Sequence, residues 1–321
     1  MPLIDESSYR RPFYLLNGHW ETIFPSIISK GPEVPFQRER LELPDGDFLD
    51  IDFLRKKAHT RCMVISHGLE GSSDKYYVRR TADYFHQRGW DIAAWSCRSC
   101  SGEMNRLPRF YHHGETKDLG YTVGNVLDRS YQEVILFGYS MGASMSLKYL
   151  GEKQRDKRII GAITFSVPCN LKESSDRLRE KENHVYEKRF LDKLIEKIKL
   201  KAQMFPDQID LSGLEELDNF DHFHERYTAP LHGFRDAADF FEQSTCDQFL
   251  SNITVPVLIV NALNDPMLGD KCNPRDIARE SKSVHLETPK HGGHAGFLIS
   301  AFKRYSWMEI RSEKFLNEVI L

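Results

Sequence analysis

Gly138-Tyr139-Ser140-Met141-Gly142 has the form G-x-S-x-G. An apolar run, EVILFGYS (133 to 140), leads into it and a stretch of helical character, Met141 to Leu150, leaves it. Small residues on either side let the chain reverse sharply between strand and helix and push the serine hydroxyl off the sheet edge. A serine alcohol is a weak nucleophile at neutral pH, so it needs a base, and the base needs an acid to orient it. On a strand-to-helix turn of this kind the expected chain order is Ser, Asp, His. Asp265 follows the apolar run VPVLIVNA (255 to 262), and His294 closes the glycine-rich HGGH (291 to 294) after SVHLET (283 to 288). Asn264 cannot hold a negative charge, which makes Asp265 the better acid; His291 competes with His294 for the base. Attack of Ser140 on a carbonyl leaves a transient oxyanion that needs positioned donors. The backbone N–H groups of Met141 and of Leu69, in the loop His67-Gly68-Leu69-Glu70-Gly71, are the candidates. Two histidines three apart also raise a zinc site, but no H-E-x-x-H or Cys/His ligand spacing accompanies them. No metal and no organic cofactor is expected.

These residues must be carried to one place by the elements around them. FQRERLEL (36 to 43) and DFLDIDFLR (47 to 55) alternate with period two about a Pro44-Asp45-Gly46 turn, which predicts an antiparallel hairpin. CMVISHG (62 to 68), DIAAWS (91 to 96), EVILFGYS and IIGAITFS (159 to 166), with VPVLIVNA and SVHLET, are short runs apolar enough to be covered on both faces. Amphipathic stretches at 75 to 88, 115 to 128 and 141 to 150 alternate with them. This beat predicts an α/β protein with a mostly parallel sheet and flanking helices, in one domain over 1 to 321. Between 167 and 253 the beat breaks: the segment is first highly charged, then rich in aromatics (Phe220, Phe223, Tyr227, Phe234, Phe240, Phe241, Phe249), and reads as an all-helical lid. Its aromatic content suggests an apolar part of the substrate.

Composition narrows the rest. The 321 residues carry 44 Lys plus Arg against 47 Asp plus Glu, a net charge of -3, so no general positive field favours nucleic acid. No apolar run has the length of a membrane helix and the start has no secretory pattern, so a cytoplasmic location is expected. Six scattered cysteines predict reduced thiols rather than a disulfide framework, and the Cys97-x-x-Cys100 pair lies away from the thioredoxin context. Residues 177 to 201 hold nine Lys or Arg against five Asp or Glu with an apolar stripe. The pattern is compatible with peripheral contact to an anionic membrane, but a lid helix with a solvated outer face is the favoured reading.

Several segments in order resemble the α/β-hydrolase superfamily, and within it the AB-hydrolase-4 branch, the YheT-like family. They are NGHWETIFPS (17 to 26), DGDFLDIDF (45 to 53), HGLEGSS (67 to 73), RSCSGEMNRLPRFYHHGET (98 to 116), GYSMGAS (138 to 144), ALNDPML (262 to 268) and HGGHAGF (291 to 297). The resemblance implies a carboxylic ester hydrolase with Ser140 as nucleophile, Asp265 as acid and His294 as base; eukaryotic relatives act on lipids. The chain departs from the family pattern at Asn264, where an Asp-Asp pair is usual, and at Ser99 and Ala143, where Gly is usual. An acyltransferase or thioesterase using the same three residues is the alternative on this fold, and a non-catalytic ligand-binding protein is a further one. Arg106, Arg109, His112 and His113 could bind an acidic group, but tying their loop to the sheet is the favoured role. Oligomeric state is not legible.

Overall fold

The computed structural model describes residues 2–56 and 59–321. Among them nine strands occur: β1 (Leu3–Ile4), β2 (Gln37–Glu42), β3 (Phe48–Leu54), β4 (Arg61–Ser66), β5 (Asp91–Ser96), β6 (Glu133–Tyr139), β7 (Ile159–Phe165), β8 (Val257–Val260) and β9 (Val284–Glu287). They form one sheet in the order β1-β9-β8-β7-β6-β4-β5-β3-β2. From β1 to β5 along this order every pairing is parallel, whereas β3 is antiparallel to β5 and β2 to β3. The predicted hairpin is therefore present as the edge of an otherwise parallel sheet. Its strands are locked by two cross-strand ion pairs in register: Arg38 with Asp52 at 2.8 Å and Arg40 with Asp50 at 3.0 Å. Charges along β2 also discourage pairing with another chain at this edge.

The central strands are apolar on both faces because both faces are covered. Val64, Leu136 and Ala162 belong to one buried cluster, and Ile65, Phe137 and Ile163 to a second. Helix α1 (Gly18–Ile28) precedes the hairpin, and the helices that cover the sheet include α2 (Tyr76–His86), α3 (Thr116–Leu127) and α4 (Met141–Glu152). Between β7 and β8 lie α5 (Leu171–Arg179), α6 (His184–Met204), α7 (Phe220–Phe223), α8 (Ala229–His232) and α9 (Ala237–Ser244), with no strand among them. The aromatics of this segment mostly pack on one another: Phe220, Phe223, Tyr227, Phe240 and Phe241 are buried. Helices α10 (Arg275–Glu280) and α11 (Trp307–Phe315) complete the chain. Ser306 and Glu309 form a capping box at the start of α11, and Glu309 also pairs with Arg80 of α2 at 3.1 Å in the interior.

Ser140, Asp265 and His294 follow β6, β8 and β9. Because these strands run parallel, their carboxyl ends share one edge of the sheet, where sites of open α/β sheets collect.

Candidate active site

The turn from β6 into α4 is strained at its apex. Ser140 has φ 51° and ψ -119°, in the left-handed half of backbone space, a conformation that costs an L-residue about 1–3 kcal/mol. It is held by contacts on both sides. The Ser140 N–H donates to the Phe165 carbonyl at 2.9 Å, and the Ser140 carbonyl accepts from the N–H groups of Ala143 and Ser144, both at 3.0 Å. The two glycines of the motif are required by space: a Cβ on Gly138 would lie 2.4 Å from the Ala143 Cα, and one on Gly142 would lie 2.4 Å from the Ser66 carbonyl oxygen. The strand, the helix and the end of β4 are therefore pressed together around the serine.

The structure brings the three predicted side chains into one hydrogen-bonded line. His294 Nε2 lies 2.9 Å from Ser140 Oγ, and His294 Nδ1 lies 2.8 Å from Asp265 Oδ2. The Asp265 carboxylate has no solvent-exposed surface, and its other oxygen accepts the Met267 N–H at 2.9 Å. With Asp265 accepting from Nδ1–H, the unprotonated Nε2 faces the serine, the tautomer a general base requires. His291, the competing base, instead sits 3.7 Å from Glu21 and 3.5 Å from Asn264.

Helix α1, to which sequence reasoning gave no part in the site, positions the histidine loop. Thr22 Oγ1 accepts the His294 N–H at 2.9 Å, and the Glu21 carboxylate accepts the Gly292 N–H. Asn264 bridges the same elements, donating to Glu21 at 2.9 Å and accepting the Gly293 N–H at 3.1 Å. The helix approaches so closely that a Cβ on Gly18 would lie 1.8 Å from the Asn264 carbonyl oxygen. Burial pushes the Glu21 carboxyl above its usual range, with the Asn264 and Gly292 donors opposing. The only sequence signal was NGHWETIFPS, in which Asn17 caps the helix through the Trp20 N–H.

Neither proposed oxyanion donor is otherwise engaged: the N–H groups of Met141 and Leu69 have no hydrogen-bond partner among the described residues. The Leu69 loop is fixed by three neighbours. His67 Nδ1–H donates to the Gly68 carbonyl at 2.7 Å, its Nε2 accepts the Cys97 N–H at 3.0 Å, and Tyr77 Oη accepts the Gly68 N–H at 3.2 Å. Burial lowers the His67 pKa to about 4, so the ring is neutral and can serve as donor and acceptor together. Leu69 and Ser140 open on a cleft of about 230 Å³. Tyr186, Arg189, Phe190 and Lys193 of α6 form one wall, so the helical segment inserted after β7 borders the serine.

The other sequence candidates fall outside this cleft. Arg106 pairs with Glu42, and Arg109 with Asp45 at 2.6 Å and Glu115 at 3.1 Å, so both arginines bind the protein itself. His112 and His113 are held below the usual histidine range by burial. Cys97 and Cys100 are free thiols, and burial pushes both up, Cys100 to about 11, opposite to what a redox thiolate needs. Among the described residues one set, His59, His86 and Asp91, brings metal-ligand atoms within 4.8 Å of one another. It lies at the other end of the sheet, at the start of β5, where Asp91 already accepts from Lys56 N–H at 2.9 Å and Tyr131 Oη at 2.7 Å.

A family model described as serine aminopeptidase, S33 (Hydrolase_4), matches residues 57–297. YheT of Escherichia coli (strain K12), named as a candidate esterase, is 30% identical over 309 residues, covering 94% of this chain and 90% of that protein. The chain belongs to the YheT-like α/β hydrolases. This YheT-like protein is also 25% identical over 330 residues to the phospholipase ABHD3 of Mus musculus, covering 99% of the chain and 80% of the relative. In fold it is similar to the Pyrococcus furiosus esterase Pf2001, with a TM-score of 0.58 at 14% identity, covering 92% of this chain and 94% of that one. No described helix of the YheT-like protein is long and apolar enough to cross a membrane.

Proposed function

We propose that the protein hydrolyses carboxylic esters through Ser140, His294 and Asp265. Membership of an esterase-bearing family supports ester hydrolysis in general. The observation that carries the finer reading is the line of hydrogen bonds from Asp265 Oδ2 through His294 to Ser140 Oγ. In this mechanism Ser140 Oγ attacks the ester carbonyl carbon while His294 Nε2 takes the hydroxyl proton. The imidazolium that forms is stabilised by the Asp265 carboxylate, which stays ionised. The tetrahedral oxyanion accepts from the N–H groups of Met141 and Leu69. Collapse breaks the bond to the leaving alkoxide, to which His294 returns the proton, giving the free alcohol and an acyl-Ser140. A water molecule, deprotonated by His294, then cleaves the acyl group as the carboxylic acid and regenerates the serine.

The inserted helical segment, 167 to 253, acts in this reading as a lid whose α6 helps to hold a small-molecule ester. A cytoplasmic location accords with six free cysteines. The test is turnover of p-nitrophenyl esters of graded acyl length by wild type and Ser140→Ala. A chain-length optimum that disappears in the variant is expected, and equal turnover by both proteins would refute the assignment.

A further inference from the structure

Resting on the hydrolase reading above, we propose that the cleft selects an ester bearing a separate anionic group, a carboxylate or a phosphate, held by Lys75, Arg189 and Lys193. All three border the same cleft as Ser140 and His294. They come from two elements: Lys75 immediately precedes α2, while Arg189 and Lys193 are four apart on α6 and so share one face. None of the three has an ion-pair partner among the described residues, whereas on the same helix Lys188 pairs with Asp192 at 3.0 Å and Lys197 with Glu70 at 2.6 Å. Among the described residues Glu70 is the one carboxylate bordering the cleft. It is already bonded to Lys197 and, at 2.6 Å, to Tyr111 Oη.

The three cations line one cleft, and burial, then the charges of Lys193 and Arg189, hold the Lys75 ammonium below its ordinary range. Like charges around one cleft repel, and an anion among them turns repulsion into attraction. Helix α2 adds to the field: its first residues, Tyr76 and Tyr77, border the cleft and its N-terminus has no side-chain cap. A flat lipid surface would meet the exposed Arg189 but not the half-buried Lys75, so a substrate group entering the cleft is the occupant that uses all three.

The test compares two soluble esters of equal reach: the mono-p-nitrophenyl ester of glutaric acid, which ends in a carboxylate, and the neutral p-nitrophenyl pentanoate. In wild type at low ionic strength, kcat/KM for the charged ester is expected to exceed that for the neutral one by about tenfold or more, and the ratio should shrink in salt. The double variant Arg189→Gln/Lys193→Gln should bring the ratio near one, mainly through a higher KM for the charged ester. Lys199→Gln, an exposed cation of α6 that does not border the cleft, should leave the ratio as in wild type. Inorganic phosphate should compete with the charged ester in wild type and lose that competition in the double variant; competition by glutarate without phosphate would narrow the group to a carboxylate. Equal kcat/KM for the two esters in wild type, or a ratio unmoved in a folded double variant, overturns the inference alone. So does an absence of soluble-ester preference combined with activation by anionic vesicles, which would make the cations a membrane surface. If neither ester shows Ser140-dependent turnover, the hydrolase reading itself falls and takes the inference with it.

Discussion

Asp265→Asn replaces a buried carboxylate by a neutral amide of nearly the same shape, and it removes the charge on which the proposed mechanism relies. Asp265 Oδ2 lies 2.8 Å from His294 Nδ1, and the carboxylate is fully shielded from solvent. When His294 takes the serine proton, the two charge centres are roughly 4 Å apart, and at an effective dielectric near 20 their attraction is about 4 kcal/mol. Each 1.36 kcal/mol is a factor of ten in rate, so kcat/KM should fall by about 10³-fold. A second effect acts in the same direction. An asparagine that donates to Nδ1 forces the ring proton onto Nε2, where it can no longer receive the proton of Ser140. Folding should change little, because the Asn oxygen can still accept the Met267 N–H now bound at 2.9 Å. The assay is kcat/KM on a p-nitrophenyl ester alongside a thermal melt. A folded Asp265→Asn protein with kcat/KM within tenfold of wild type would refute the role given to this carboxylate.

Gly142→Ala should lose activity and about 1–3 kcal/mol of stability, because the new Cβ meets the Ser66 and His67 carbonyl oxygens at 2.4 and 2.5 Å; denaturant unfolding and turnover check both. Asn264→Asp restores the Asp-Asp pair of the family pattern, yet it should destabilise this chain by about 1–3 kcal/mol at neutral pH, since the donor to Glu21 becomes a second carboxylate facing it. A variant as stable as wild type in urea contradicts that reading. Stability should decline on acidification from about pH 6.5 toward pH 4. Burial lowers the pKa of His67, His113 and His232 to about 4, and it lowers His112 and His224 as well. A base with a depressed folded pKa binds its proton only on unfolding in that window, and each such histidine removes up to about 1.4 kcal/mol per pH unit there. A pH series of melting temperatures checks this, and a flat profile over the window counts against it.

What was legible in the sequence follows from how local the signal is. The hairpin appeared through period-two alternation about Pro44-Asp45-Gly46, and the parallel strands through short apolar runs that need cover on both faces. The serine was legible because its strained turn demands glycine at 138 and 142 within a few residues. Asp265 and His294 were found by chain order after strands, a weaker argument that the hydrogen-bond geometry then sorts from Asn264 and His291. The support from α1 was not legible: Thr22 and His294 are separated by 272 residues, and nothing in a lone threonine signals a distant backbone partner. The same holds for His67, which resembles any strand-end histidine until Cys97 is folded against it. The aromatics of 167 to 253 marked a helical core more than a substrate wall, because helical spacing alone cannot tell a buried face from a pocket face.

The central claim is that Ser140 is a nucleophile activated by His294. Intact-mass analysis and peptide mapping after exposure to a fluorophosphonate tests it most directly, since the probe forms a P–O bond with an activated serine and releases fluoride. The account predicts a single adduct located on Ser140, absent in Ser140→Ala and strongly slowed in His294→Ala. A folded wild-type protein that takes up no label, or takes it at another residue, would contradict it.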